Sequence, residues 1–118
     1  MRFYYLDNPK EVSLAMEGNL PAGATEVLPN SVEAAYEKHI PEVKVDGNLV
    51  DVVVGSVEHP MIDVHFISWI CVVNGKEVLL HKLQPGEKPA AKFLLQEKKG
   101  EIEVYAFCNL HGLWIAKA

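Results

Sequence analysis

The chain lacks the features that mark several common classes of protein. Among its 118 residues there are only two cysteines, Cys71 and Cys108, so no network of disulfides can hold it together. No segment approaches the ~18 apolar residues of a membrane span, and the N-terminus has no apolar stretch followed by a small-residue cleavage site. The net charge of -5 disfavours nucleic acid as a partner. We therefore expect a cytoplasmic protein with two free thiols that binds neither a membrane nor nucleic acid.

Short alternating segments separated by turn residues predict an all-β fold. The ranges 42–54 and 64–83 each contain two such segments, separated by Asp46-Gly47 and Asn74-Gly75, and both dipeptides favour hairpin turns with positive φ angles. Further strands are expected at 90–96 and 101–108. About seven strands at this spacing indicate an immunoglobulin-like β-sandwich.

The N-terminal part of the chain differs from the rest. Residues 1–29 carry two weak strand patterns, at 3–6 and 12–16, followed by a loop rich in glycine and proline. This segment contains neither cysteine nor histidine. After it, Asn30 and the alanines up to Tyr36 predict one short helix of at most two turns. We therefore divide the chain into a small segment, 1–29, and a main domain, 30–118.

Near the C-terminus, Cys108 and His111 lie three residues apart beside Gly112. This spacing lets one turn of backbone present a sulfur and a nitrogen ligand to a single metal, and the glycine permits a tight bend. Free cysteines are also common as small core residues, so the pair alone leaves both interpretations open.

Three further histidines strengthen the metal hypothesis. His39 follows a glutamate and a lysine, and His59 and His65 bracket a short loop that begins His59-Pro60-Met61. With Cys108 and His111 they offer four imidazoles and one thiolate, which is one ligand more than a tetrahedral zinc site uses. Such a set suits a redox-active iron ion with one coordination position left open. The fifth histidine, His81, lies in a predicted strand with no motif around it, and we expect it to be an ordinary surface or packing residue.

Three motifs in order resemble those of the desulfoferrodoxin and neelaredoxin family of superoxide reductases. They are Glu37-Lys38-His39-Ile40-Pro41, the stretch from His59 to His65, and Cys108-Asn109-Leu110-His111-Gly112-Leu113-Trp114. The resemblance runs from about Asn30 to Trp114.

The resemblance implies a function and a site. The function is the one-electron reduction of superoxide to hydrogen peroxide at a single mononuclear iron, Fe(II) or Fe(III), with an open sixth position. Lys38 is implied as the cation that draws superoxide to the iron, and Glu37 as a carboxylate that can close on the oxidised metal. The implied iron ligands are His39, His59, His65, Cys108 and His111.

The resemblance also implies partners. A small rubredoxin-like iron protein is the implied electron donor, and a homodimer is expected, with a tetramer as the alternative. Longer relatives hold a second iron on four cysteines in an N-terminal domain, so residues 1–29 are expected to be a metal-free remnant of that desulforedoxin-like domain.

Two other classes stay open at this point. A blue-copper electron carrier is also a β-sandwich and uses one cysteine, two histidines and a weak axial methionine. No methionine follows His111, however, and four clustered histidines are two too many for such a site. A structural immunoglobulin-like module with zinc is the second, and it would leave the Glu37-Lys38-His39 motif unexplained.

Overall fold

The computed structural model describes residues 1–118 and is almost entirely β. It contains ten strands and a single short helix. In chain order these are β1 (Arg2–Tyr5), β2 (Ser13–Ala15), β3 (Thr25–Val27), α1 (Tyr36–His39), β4 (Pro41–Asp46), β5 (Leu49–Val54), β6 (Ile67–Asn74), β7 (Glu77–Lys82), β8 (Ala90–Leu94), β9 (Glu103–Cys108) and β10 (Gly112–Lys117).

Seven of these strands form the predicted sandwich. One sheet has three strands in the order β4-β5-β8, and the other has four in the order β10-β9-β6-β7, with all neighbours antiparallel. Alternate residues of the strands point between the sheets, and the core contains Val52 of β5, Val72 of β6 and Val104 of β9, each fully buried. The crossing of the chain from one sheet to the other is that of an immunoglobulin-like fold, so the fold prediction is confirmed.

Both predicted hairpins form, with one correction to their turns. Asp46 pairs with Leu49 and Asn74 pairs with Glu77, so these two polar residues end strands and do not occupy the turn centres. The first central residue of each turn is a glycine with positive φ, 60° at Gly47 and 59° at Gly75. The residue after each glycine does not have positive φ, which is the pattern of a type II′ turn and not of type I′.

The N-terminal segment packs on the outside of the sandwich. Its strands form a separate sheet in the order β2-β1-β3, of which β1 and β2 match predicted strands and β3 was not predicted. Phe3 of β1 is 5% exposed and stacks on Trp69 at a ring-centroid distance of 5.3 Å. Together with Tyr105 and Phe107, these residues form a second apolar cluster on the outer face of the four-stranded sheet.

The predicted helix start at Asn30 is wrong. The helix is a single turn, Tyr36–His39, and Asn30 has a φ of 58° well before it. The Asn30 amide instead accepts a hydrogen bond from the Ile115 N–H at 2.9 Å and donates to the Ile115 carbonyl at 3.3 Å. This pairing with β10 uses the donor and acceptor that a helix cap would need, so the chain forms a turn at 29–30 and bends, and no helix, before Tyr36.

Strand β10 is, with β3, one of the two strands that the sequence analysis missed. It pairs with β9 from Gly112 opposite Cys108 to Lys117 opposite Glu103. Both cysteines are free thiols, with Cys71 buried in the outer apolar cluster, and His81 is exposed as predicted. None of the helical structure is long and apolar enough to cross a membrane.

Candidate metal centre

All five predicted ligands lie at one end of the sandwich, on short segments held by the sheets. His39 is the last residue of α1, and His59 and His65 lie in the connection between β5 and β6. Cys108 ends β9, and His111 lies in the turn before β10. That turn is closed by Gly112, whose φ of 79° fits the left-handed residue that follows a three-residue hairpin loop. The Cys-x2-His spacing therefore presents both side chains on one side of a tight hairpin.

The four imidazole rings form a closed square. Centroids of neighbouring rings lie 4.7 Å apart for His39 and His59, 4.6 Å for His59 and His65, 5.1 Å for His65 and His111, and 4.9 Å for His111 and His39. Across the square, His39 and His65 are 6.3 Å apart. Neighbouring ring planes meet at angles between 73° and 87°. Four nitrogen donors arranged in this way can surround one ion.

The hydrogen bonds of two rings fix which nitrogen faces inwards. His39 Nδ1 lies 2.7 Å from the Ala35 carbonyl, and His59 Nδ1 lies 2.7 Å from the Pro60 carbonyl. A carbonyl oxygen only accepts, so both Nδ1 atoms carry the proton and both Nε2 atoms present lone pairs. The two Nε2 atoms are 3.2 Å apart. Two lone pairs at this separation repel each other unless a cation lies between them.

The other donors converge on the same point. Nδ1 of His111 is 3.1 Å from Nε2 of His39. The Nε2 atom of His65 is buried and has no hydrogen-bond partner, which is costly for a polar atom without a ligand. One donor atom from each of His39, His65, Cys108 and His111 lies within 4.8 Å of the others. The residues therefore fit a transition-metal cation, and the orphaned nitrogen is the clearest sign of one.

Burial keeps three of the imidazoles, those of His39, His59 and His65, neutral, as metal ligands must be. Desolvation lowers the pKa of His59 to about 4, and it lowers the pKa of His39 and of His65 as well. Positive charge on neighbouring imidazoles adds to the effect in each case, because like charges disfavour the protonated form. At neutral pH these rings can offer lone pairs to a metal without first losing a proton.

Cys108 lies at the edge of the sandwich core and is fully buried. Burial raises the pKa of its thiol, whereas the backbone N–H groups of Leu110 and His111 lower it. The His111 N–H donates to the sulfur at 3.4 Å, and His111 Nδ1 lies 4.0 Å from the same atom. A bound cation is what would turn this buried thiol into a thiolate.

Gly55 joins two of the ligand segments, and sequence reasoning missed it. Its φ is 88°, and a Cβ at this position would meet the carbonyl oxygens of Lys38 at 2.8 Å and Glu37 at 2.9 Å. The Gly55 N–H donates to the Ile40 carbonyl at 3.2 Å. The helix that carries His39 can therefore lie directly on the loop that carries His59 only because residue 55 has no side chain.

Trp114 contacts two of the histidines. Its ring stacks on His39 at a centroid distance of 4.8 Å and an interplanar angle of 27°. Its indole N–H donates to the His111 carbonyl at 3.1 Å. Trp114 is fully buried, and its partners make it part of the wall of the site.

Glu37 and Lys38 are both exposed beside this cluster. The positive charge of Lys38 is close enough to His65 to contribute, after burial and His111, to the lowering of the His65 pKa. The negative charge of Glu37 acts on His39 in the opposite sense and favours its protonated form. The two side chains therefore lie where an anion approaching the cluster would encounter them.

Met61 does not join the cluster, which weakens the blue-copper alternative. Its sulfur accepts a hydrogen bond from the Ile67 N–H at 3.3 Å, and its side chain packs against the sandwich core. A zinc-binding structural module is also a poor fit, because a closed tetrahedral site would leave one of the five donors without a role.

Comparisons with known proteins agree with this arrangement. The desulfoferrodoxin family model matches residues 31–117. A desulfoferrodoxin from Clostridium acetobutylicum is 41% identical over 122 residues, covering 98% of this chain and 95% of the relative. The solved superoxide reductase from Treponema pallidum aligns with a TM-score of 0.72 and 36% identity over 98% of this chain and 97% of that one. A superoxide reductase (1Fe-SOR) from Giardia intestinalis aligns with a TM-score of 0.63 and 34% identity, covering 70% of this chain and 97% of that one. The match over most of the chain, with the motif residues gathered at one end of the sandwich, means that this protein belongs to the desulfoferrodoxin family.

Proposed function

We propose that this protein is a superoxide reductase, an oxidoreductase that uses one iron ion per chain to reduce superoxide to hydrogen peroxide. The observation that carries the proposal is the convergence of imidazole nitrogens and a buried cysteine sulfur on one point. Four nitrogen donors with one sulfur suit iron better than zinc or copper. The names of the solved relatives from Treponema pallidum and Giardia intestinalis support the same activity.

The residues that would hold the iron are His39, His59, His65, Cys108 and His111. Iron bound there would supply one electron to each superoxide ion, which leaves as hydrogen peroxide after gaining two protons. The protein's own contribution begins with the neutral state of His39, His59 and His65, because neutral ligands bind without first losing a proton and do not cancel the charge of the metal. The Cys108 sulfur, bonded by the His111 N–H, adds an electron-rich ligand whose donor strength this hydrogen bond moderates.

Lys38 and Glu37 are proposed to act on the substrate and on the resting site. The chain carries a net charge of -5, so attraction of an anion has to be local. Lys38 supplies such a charge beside His65. Glu37 lies one residue earlier, and its carboxylate is proposed to approach the metal after product has left. Neither residue belongs to the cluster of donor atoms.

A small rubredoxin-like iron protein is proposed as the electron donor. The support lies in the apolar side chains next to the ligands. Ile62 and Val64, between His59 and His65, are 58% and 70% exposed, and Leu110, between Cys108 and His111, is 49% exposed. Exposed apolar residues around a redox centre are suited to brief docking of a partner.

Residues 1–29 are proposed to be a metal-free packing segment that supports a homodimer. The segment has no cysteine or histidine, and Phe3 covers Trp69 and Tyr105. Phe3→Ala should destabilise the protein by about 3–4 kcal/mol through the cavity that it leaves, without changing the metal content. Loss of iron with unchanged stability would contradict this role. The oligomer is tested by the molar mass in solution, where a monomeric mass would contradict the dimer.

The activity is tested by adding superoxide in measured portions to the anaerobic, iron-loaded, reduced protein. If the proposal is right, each superoxide ion oxidises one iron, and the optical spectrum of the oxidised protein appears in step. Cys108→Ala should lose any absorption band that arises from sulfur-to-iron charge transfer. A reduced, iron-loaded protein whose spectrum is indifferent to superoxide would overturn the proposal.

A further inference from the structure

One side chain ties the two ligand loops together. The Asn109 amide oxygen accepts a hydrogen bond from the Phe66 N–H at 2.9 Å, and its NH2 group donates to the Val64 carbonyl at 3.1 Å. In addition, the Asn109 backbone N–H donates to the Phe66 carbonyl at 3.2 Å. These three bonds, together called the Asn109 clamp, hold Val64 and Phe66, the residues on either side of His65. They connect it to a residue that lies next to Cys108.

The clamp acts where regular pairing of the sheet ends. Strands β6 and β9 pair as far as Ile67 opposite Cys108, and their register shifts between Ile67 and Trp69. Such a bulge turns the chain and interrupts the ladder. Beyond it, the Asn109 side chain takes the place of a strand's N–H and C=O groups and continues the pairing by two residues. Val64 is 70% exposed, so burial does little to hold this stretch.

His65 depends on its backbone more than the neighbouring ligands do. The rings of His39 and His59 are each held by a 2.7 Å bond from Nδ1 to a backbone carbonyl. Nε2 of His65 has no such partner. The backbone of His65 is held by reciprocal 3.0 Å bonds with Ile62, but these lie within its own loop. Only the bonds to Asn109 connect the residues flanking His65 to the hairpin of Cys108 and His111.

We propose that Asn109 is a positioning residue that sets His65 at ligand distance from Cys108 and His111. The inference rests on the proposed ligand role of His65, and it does not depend on the reaction with superoxide. An amide is required because the position needs one donor and one acceptor at once. In Asn109→Asp, a carboxylate oxygen would face the Val64 carbonyl, so this substitution should disturb His65 at least as much as Asn109→Ala.

The chain offers a matched control at the other end of the sandwich. The Asn74 amide binds backbone in the same pattern, accepting from the Lys99 N–H at 3.1 Å and donating to the Glu97 carbonyl at 2.8 Å. It ends β6 at the hairpin with β7, whereas the candidate metal centre lies before the start of β6. Asn74→Ala therefore removes equivalent hydrogen bonds without touching the ligand loops. Asn48 accepts from the Lys98 N–H at 3.0 Å and is a milder control of the same kind.

The test is titration of the metal-free, full-length protein with Co(II), followed by visible absorption. Asn109→Ala and Asn109→Asp should weaken cobalt binding about 10–100-fold, as loss of an outer-shell partner does, and should alter the cobalt bands. Asn74→Ala and Asn48→Ala should lower the thermal midpoint but leave affinity and bands unchanged. In a His65→Ala background, Asn109→Ala should have no further effect on affinity, because the residue acts through His65.

Three results would overturn the inference. One is an affinity and spectrum of Asn109→Ala equal to those of the parent. Another is an equal loss of affinity in Asn74→Ala, and the last is a full additional loss in the His65→Ala background. If the Asn109 variants do not fold, hydrogen exchange in the parent decides, since a Phe66 amide that exchanges as fast as an unpaired loop amide would show that the clamp is open. Failure of the iron-loaded protein to react with superoxide would overturn the proposed function and leave the cobalt result standing.

Discussion

The Nε2 atoms of His39 and His59 lie 3.2 Å apart, although the proton of each ring is on the opposite nitrogen. The fold thus holds two lone pairs against each other. Desolvation lowers the pKa of both rings, so protonation does not relieve the repulsion at neutral pH. A metal cation does, and the free energy of unfolding should therefore rise when one binds.

His59→Ala tests whether His59 is a fifth ligand or a neighbour of a four-donor site. Loss of a direct ligand should weaken Co(II) binding by more than about 100-fold, beyond the roughly 10–100-fold that loss of an outer-shell partner costs. His81→Ala is the control, because His81 is exposed on β7 and away from the cluster. Cobalt affinities of the two variants should differ by that factor, and equal affinities would remove His59 from the ligand set.

Gly55→Ala should disrupt the site through the backbone. The added methyl group would collide with the carbonyl oxygens of Glu37 and Lys38 and force α1 away from the loop of His59. We expect a loss of about 2–4 kcal/mol in the free energy of unfolding and weaker metal binding. Gly47→Ala has a similar positive φ with open space around it, so it should cost only about 1–2 kcal/mol and leave metal binding intact. Equal metal affinity in the two variants would show that the contact is unimportant.

Lys38→Ala should slow the capture of superoxide without loss of iron. Unit charges ~4 Å apart at an effective dielectric of ~20 interact by ~4 kcal/mol, and solvent and salt reduce this to an effect of roughly one to two decades in rate. Lys76→Ala removes the same charge from the distant β6–β7 turn and should react as fast as the parent. Pulse radiolysis at low and high ionic strength measures both. Equal rates for the two variants at low salt would make Lys38 an ordinary surface lysine.

The buried thiol of Cys71 should lower the free energy of unfolding at alkaline pH. Burial raises the pKa of its thiol from 9.0 to about 11. Between these values the folded protein holds a proton that the unfolded chain has released, so the free energy of unfolding falls as the pH rises. The loss should be about 1.4 kcal/mol at pH 10, one unit above the unfolded pKa. Urea unfolding under reducing conditions at pH 8 and pH 10 should show a smaller loss in Cys71→Ala, and parallel losses would contradict the assignment.

The sandwich and the ligand types could be predicted because they depend on local patterns. Alternation of apolar residues around Gly47 and Gly75 is enough to identify two hairpins, and the spacing of Cys108 and His111 indicates a metal site once the other clustered histidines are counted with it. The helix start was wrong because Asn30 can bind backbone groups in more than one way. The backbone groups that Asn30 binds belong to Ile115 of β10, which lies 85 positions later in the chain.

The contacts that hold the ligands in place could not be predicted for the same reason. Asn109 resembles any turn asparagine until β6 is seen to begin opposite Cys108, which leaves Phe66 outside the regular ladder and free to bond to Asn109. Gly55 gives no signal in the sequence, because its role appears only when α1 lies on it. The contact of Trp114 with His39 could not be predicted, because it depends on a strand that the apolar pattern at the end of the chain was too short to indicate.

The yield of hydrogen peroxide per superoxide ion tests the central claim most directly. With excess reductant and iron-loaded protein, superoxide is supplied at a known rate while peroxide and dioxygen are measured together. A reductase should form one hydrogen peroxide for each superoxide ion consumed, with no dioxygen evolved from superoxide. A yield of half a peroxide with half a dioxygen, or a yield independent of the reductant, would mean dismutation and would contradict superoxide reduction at this site.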